Sequence, residues 1–284
     1  MDKKQYRPRL SEWEVSILDH IRNHPEANKS ETVYVDRTYN EGELWFVLPD
    51  AHYPFHDEKL MQRVFKCIDD NKPSGIVING DWLDLFCLGS YNADSLGLLR
   101  NISLTDEYES GLDGIKCLND AAPTAKKVFI YGNHEDRYFR TLNSRDNAKY
   151  GEELQRPEKA LKLEKYGFKV YTNWKDDYYT VGDLDVMHGF YTNIHTAAKH
   201  LSAHGRSVMF GHTHRVQTYF TSHEAAFNVG CLADIRHKAF GYMPRMQREN
   251  WSQGFASITV HGGKSYVTMI TVRNGRFLFN GKFY

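Results

Sequence analysis

Five short polar blocks punctuate this chain of 284 residues, and each carries side chains able to bind a metal ion. In order they read Asp50-Ala51-His52, Gly80-Asp81-Trp82-Leu83-Asp84, Gly132-Asn133-His134-Glu135, His188-Gly189 and Gly211-His212-Thr213-His214. Taken singly, each has an ordinary reading. Gly80-Asp81 is a β-turn, Gly132-Asn133 a type I′ hairpin signal and His188 a packed core histidine. Taken together they offer carboxylate, amide and imidazole donors and no thiolate. Such hard and borderline donors suit Mn²⁺, Fe, Zn²⁺ or Ni²⁺ rather than Ca²⁺ alone or a soft metal. Asp50, His52, Asp81, Asn133, His188, His212 and His214 are too many ligands for one ion with an open position. They suit two ions sharing a carboxylate, which in two-metal sites lie about 3.5–4 Å apart.

The elements that must position these blocks are short runs rich in Val, Ile and Phe. They span residues 43–48, 74–79, 126–131, 184–187 and 206–210, and each ends at one block. The runs do not alternate with polar residues, which marks strands buried on both faces. Open α/β sheets bind ligands at the C-terminal ends of their strands, where all five blocks fall. Helical patterns occupy residues 57–70 and 105–120. Beyond 215 the chain turns strand-rich, at 216–221, 225–230, 254–261, 264–272 and 275–280. Alternating strands and helices followed by more strands predict a layered α/β domain with more than one sheet, over residues 41–284. Residues 1–40 read as an N-terminal extension with one amphipathic helix. Ser11 is its N-cap, Glu14 stands at the capping-box position, and Trp13, Ile17 and Ile21 share a face.

Composition narrows the class. An apolar fraction of 41% supports a packed core, and 36 basic residues balance 36 acidic ones. Zero net charge argues against a generally basic nucleic-acid binder and leaves room for a local basic patch. The four cysteines, Cys67, Cys87, Cys117 and Cys231, form no C-x-x-C pair, so neither a disulfide framework nor a cysteine zinc site is indicated. The N-terminus lacks the apolar run of a signal peptide, and no stretch is long enough to span a bilayer. The expectation is a cytoplasmic protein without a membrane partner.

The block order resembles that of the calcineurin-like metallophosphoesterases, D-x-H, G-D-x-x-D, G-N-H-[DE], H-G and G-H-x-H, matched in sequence from residue 50 to 214. The resemblance implies a metallophosphoesterase-like double β-sandwich of mixed sheets flanked by helices. It also implies two divalent metal ions, manganese first, with Fe, Zn, Ni or Co as alternatives. Asp50, His52 and His214 would hold one ion, Asn133, His188 and His212 the other, and Asp81 would bridge them, with Thr213 facing away. Hydroxide between the ions would attack phosphorus. His134 would serve the leaving oxygen as proton donor or cationic stabiliser, and Asp84 would hydrogen-bond its ring and favour the protonated form. Arg137 and Arg215, beside the blocks, would bind phosphate.

The expected substrate is a phosphate ester, specifically a phosphodiester of nucleotide or nucleic-acid type. Leu85-Phe86 stand where the serine/threonine protein phosphatases carry Arg-Gly, which argues against a phosphoprotein. Two alternatives are a small-molecule phosphomonoesterase and a catalytically silent interaction scaffold. Scaffolds of this fold lose ligands or the motif histidine, and here all are present. Substrate selection is expected in segments 85–104, 138–157, 190–206 and 231–253. The last interleaves Arg236, Lys238, Arg245 and Arg248 with Phe240, Tyr242 and Trp251, a pattern for holding a strand's backbone and stacking its bases. Its plainer reading is a surface loop anchored by aromatic packing. The nine other histidines, His56, His195 and His200 among them, read as surface or packing residues.

Overall fold

Alternation along the first strand, β1 (Glu43–Leu48), sorts the core into layers. Phe46 and Leu48 join a cluster with Leu60, Met61, Val64 and Ile68, while Trp45 and Val47 join another with Val181, Val186, Met209 and Val229. The division recurs on β2 (Gly75–Asn79) and β3 (Lys126–Ile130). Ile76, Ile78 and Phe129 turn to the first cluster, Val77, Val128 and Ile130 to the second. A strand covered on both faces needs apolar side chains at nearly every position, so the runs lack polar alternation. This computed structural model describes residues 42–89, 102–143 and 154–284; the helix expected near residues 11–24 lies outside them.

β4 (Phe168–Tyr171) continues the parallel set begun by β1, β2 and β3. Five shorter strands form a second sheet: β5 (Tyr179–Val181), β6 (Leu184–Val186), β7 (Val208–Phe210), β8 (Val216–Phe220) and β9 (Ala225–Val229). Their order is β5-β6-β7-β9-β8, with β6, β7 and β9 parallel and the outer two antiparallel. β10 (Gly254–His261) and β11 (Lys264–Thr271) then return antiparallel to the free edge of β1, completing a six-stranded order β11-β10-β1-β2-β3-β4. The second apolar cluster lies between the two sheets.

Helices close the outer faces. α1 (Glu58–Asn71) buries Leu60, Met61, Val64, Cys67 and Ile68, one helical stripe, against the first sheet. Each such side chain contributes about 1.5–3 kcal/mol by burial. Asp57 caps it by accepting from the Leu60 amide at 3.0 Å. α2 (Leu104–Ala121) starts at a Ser103–Asp106 capping box. α3 (Arg137–Leu142) and α4 (Pro157–Ala160) are short. α5 (Thr196–His204) covers the second sheet, burying Ala197 and Leu201 on Val208, Phe210 and Ala226. α6 (Arg245–Arg248) is a single turn in the 231–253 segment. The result is the expected double β-sandwich of mixed sheets flanked by helices.

One strand expectation is corrected. Of residues 275–280 only β12 (Leu278–Phe279) is extended, and it pairs with β13 (Lys282–Phe283) rather than with either main sheet. Asn280 and Gly281, at φ 46° and 75°, turn the chain back after two residues. Among the described residues no helix is long and apolar enough to cross a membrane.

Candidate metal centre

Parallel strands bring their C-terminal ends to one rim, and both sheets contribute. Asp50 and His52 follow β1, Asp81 follows β2, Asn133 follows β3, His188 follows β6, and His212 and His214 follow β7. The backbone there is strained. Ten non-glycine residues among those described have positive φ, and five of them are Asp50, His52, Asp81, His212 and His214, at 46°, 54°, 50°, 66° and 55°. Each such conformation costs about 1–3 kcal/mol and clusters at functional sites.

The motif glycines make room for ligands. A Cβ on Gly132 would collide with the Asp81 carboxylate, and one on Gly211 with that of Asp50. Glycine at these positions is required by the space a carboxylate occupies.

Three groups of His and Asp at this rim could hold a metal ion: Asp50, His52 and His214; His52, Asp81 and His134; and Asp81, His188 and His212, with ligand atoms within 4.8 Å of one another in each. In the first group the Nε2 atoms of His52 and His214 are 3.0 Å apart, and His214 Nε2 is 3.4 Å from Asp50 Oδ1. In the last, His188 Nε2 lies 3.4 Å from Asp81 Oδ2 and 3.1 Å from Asn133 Oδ1. Rings are oriented from behind: His52 Nδ1 is 2.9 Å from Asp84 Oδ2, and His188 Nδ1 donates to the Asn79 carbonyl at 3.0 Å. Both rings therefore present Nε2 inward, as ligands anchored through their other nitrogen do.

The donor set fits divalent cations. Asp50 and Asp81 are fully buried, and a buried carboxylate needs positive charge or several donors beside it. Asp50 accepts from the His212 amide at 3.0 Å and Asp81 from the His134 amide at 2.9 Å. His212 and His214 each keep a buried Nδ1 with no hydrogen-bond partner, and such orphaned groups point to a missing ion or solvent partner.

Electrostatics tell the same story. Burial works against a charged His188, yet the Asp81 and Asp50 carboxylates outweigh it and hold the ring up at about 9. Burial also works against the Asp81 carboxylate, and His188 and His134 hold it well below the ordinary range. His212, desolvated and beside His188, is pushed down to about 3. Asp81 is thus the focus of negative charge, and the charged His188 ring beside it supplies positive charge of the kind a divalent ion would bring.

Asp84 and His134 meet differently from expectation. The Asp84 carboxylate goes to His52 and is 3.5 Å from His134 Nδ1. His134 Nδ1 donates instead to the Asp84 backbone carbonyl at 2.7 Å, and its Nε2 accepts from Arg137 Nη2 at 3.0 Å. Two histidines compete for one carboxylate, and the nearer ring takes it. Burial and the Arg137 guanidinium hold His134 well below the usual imidazole range, so its ring is neutral rather than protonated. Arg137 also donates to the Asp84 carbonyl at 3.0 Å. Arg215 is a strut: its guanidinium donates to the carbonyls of Thr192 at 2.6 Å and Asn193 at 3.3 Å.

The centre opens into a cleft of about 770 Å³, with Asp81, Asn133, His134, His212 and His214 on its floor and Arg137 and Arg215 beside them. Thr192 and Ile194 line it from the loop after His188, and Met243, Gln247, Asn250 and Trp251 line it from the 231–253 segment. The aromatic residues of 231–253 are used unlike the expected stacking row. Phe240 is fully buried with its ring 5.5 Å from His52, while Trp251 packs edge-on to His214 at 4.2 Å. Arg245 pairs with Glu249 at 2.8 Å; the Tyr242 side chain lies outside the described ones. Thr213 does turn from the centre, accepting from Asn228 Nδ2, although it touches the cleft wall.

Three further residues support the site, and of these Glu135 alone, the last residue of its block, carried a sequence signal. Glu135 accepts from the amides of Asp81, Leu83 and Gly132 at 2.8–2.9 Å, sewing two blocks together. Glu107 of α2 accepts from Phe86 and Cys87 at 2.7 and 2.9 Å. Burial and nearby carboxylates push both acids up to about 7. His200 accepts from the Phe190 and Tyr191 amides at 3.1 and 3.4 Å and stacks on Phe210. In sequence Glu107 is an ordinary helix glutamate, and His200 is one histidine among nine without a motif.

Comparison with known proteins adds likenesses of modest depth. No family model matches the chain. It is 23% identical over 252 residues to the Gene 54 protein of Mycobacterium phage D29, covering 83% of this chain and 96% of that one. Vps29 from Cryptosporidium parvum is similar in structure at 13% identity and a TM-score of 0.45, covering 84% of this chain and 96% of its own. A conserved uncharacterised protein of Streptococcus pneumoniae TIGR4, described as a predicted phosphoesterase, is similar at 12% identity and a TM-score of 0.34, covering 81% and 89%. Likenesses at these scores carry no argument about activity. The resemblance to the calcineurin-like metallophosphoesterases holds on this chain's own strand order, layers and block positions.

Proposed function

We propose that this chain is a dinuclear metal-dependent phosphoesterase acting on a phosphodiester of nucleotide type, its catalytic domain spanning residues 41–284 behind an extension at 1–40. The observation that carries the reading is the position of Asp81, a member of two ligand groups at the floor of an open cleft. Asp50, His52 and His214 would hold one ion, Asn133, His188 and His212 the other, and Asp81 both. Divalent ions bound there, manganese first, would neutralise phosphate oxygens and lower the pKa of water.

The chain's own groups supply the rest. Asp84 and the Asn79 carbonyl hold His52 and His188 with Nε2 inward. His134, neutral and tied to the Asp84 carbonyl, is a proton acceptor at Nε2 rather than a donor. The lasting positive charge near the leaving oxygen therefore falls to Arg137, whose guanidinium His134 fixes at 3.0 Å.

The test is turnover of bis(4-nitrophenyl) phosphate and 4-nitrophenyl phosphate by manganese-loaded protein, with Asp81→Asn as control. Diester turnover that vanishes in the variant is expected. Preference for the monoester would replace the diester reading by a phosphomonoesterase. Metal bound without turnover of either would favour the scaffold.

A further inference from the structure

The part of the cleft lining that residues 243–251 supply differs from its floor, and that difference bears on what accompanies the phosphate. The floor is charged and imidazole-rich; the wall made by residues 243–251 carries no charged side chain into the cleft, only Met243, Gln247, Asn250 and Trp251. The indole of Trp251 is fixed rather than free. It is packed at 4.2 Å from the His214 ring and 5.4 Å from Phe240, and the amide of the next residue, Ser252, donates to the His214 carbonyl at 2.7 Å. A rigid aromatic placed in advance loses little conformational freedom on binding. Gln247 and Asn250 lie three residues apart around α6 and its end, so their exposed carboxamides share one side of the turn.

Resting on the phosphoesterase reading above, we propose that this wall is a nucleobase subsite: a base lies against Trp251 while its phosphate reaches the floor, and Gln247 and Asn250 read its polar edge. An uncharged planar heterocycle bearing donors and acceptors on its rim matches an indole face flanked by carboxamides, each with both donor and acceptor atoms. A basic or acidic peptide would meet no opposite charge among Met243, Gln247, Asn250 and Trp251. The exposed Arg236 and Lys238 do not line the cleft, so the occupant is one nucleotide unit rather than a long strand gripped by its backbone.

The experiment is calorimetric binding of thymidine 5′-monophosphate and of 2-deoxyribose 5-phosphate to the manganese-loaded full chain. It does not require turnover, so its outcome is separate from that of the hydrolysis assay. The nucleotide should bind at least tenfold tighter than the base-less sugar phosphate. That ratio should fall to near one in Trp251→Ala and in the double variant Gln247→Ala/Asn250→Ala, whose exposed side chains carry no folding risk comparable to Trp251. Equal affinities in the unaltered protein would overturn the subsite, including the case in which a sugar is what the wall reads. So would a tenfold preference that survives in both variants.

Discussion

The two sheets deliver different chemistry to one rim. The first supplies both carboxylates, Asp50 and Asp81, with His52 and Asn133; the second supplies imidazoles alone, His188, His212 and His214. Their loops are sewn differently too. On the first side buried carboxylates do the work: Glu135 on three amides, Glu107 on two, Asp84 on His52. On the second side the loop after His188 is held by the neutral His200, by Thr196 on the Tyr191 carbonyl, by Arg215 on Thr192 and by Gln217 on Ile194. Two carboxylates reach across: Asp50 to the His212 amide at 3.0 Å, and Asp81 to within 3.4 Å of His188 Nε2. The contrast teaches that negative charge is gathered on one half, while the other supplies imidazoles whose charge follows their surroundings: the carboxylates hold His188 up, and burial keeps His212 neutral.

Breaking the charged half should have the largest effect. Asp81→Asn removes the carboxylate common to two ligand groups. It is expected to lower kcat on the aryl diester by on the order of a thousandfold, measured by nitrophenolate release at saturating manganese.

The imidazole half should reveal itself through pH. Burial pushes His200 down to about 4 from its ordinary 6.5. As pH falls, the unfolded chain therefore takes up this proton first. The stability contributed by neutral His200 is complete above pH 6.5 and is lost progressively down to about pH 4. The loss is at most about 3 kcal/mol. Urea titrations at stepped pH would measure it, and His200→Gln should remove that share of the slope.

Much of this was legible in the chain before its fold. The strand at 43–48 was readable because burial on both faces excludes polar alternation, and the helices at 57–70 and 105–120 fell within a residue of α1 and α2. The seven candidate ligand positions were visible because short, punctuated motifs carry their chemistry in consecutive residues. What was not legible depended on contacts between distant residues. Asp84 reaches a histidine 32 positions away, Glu107 an amide 21 away. Choosing between His52 and His134 as partner of Asp84 requires distances no spacing encodes. Phe240 and Trp251 showed aromatic character in sequence, but only packing could assign one to the core and the other to a wall.

A subtler variant sharpens the contrast within the charged half. Asp84→Asn leaves all seven proposed ligands in place and removes the carboxylate behind His52. Metal affinity is expected to weaken about 10–100-fold by calorimetry, with the ion held through Asp50, His52 and His214 the one affected. The smallest effect belongs outside both halves. Arg245 and Glu249 form an exposed pair on α6 at 2.8 Å, and Arg245→Ala should change stability by less than about 1 kcal/mol in urea titration.

The central claim is that both halves together hold two ions that the reaction needs. Titrating metal-free protein with manganese while following heat and diester turnover tests it directly. The account predicts two equivalents bound per chain, activity appearing as the second is filled, and loss of both features in Asp81→Asn. One equivalent with full activity, or two bound with no hydrolysis of any phosphate ester, would contradict it.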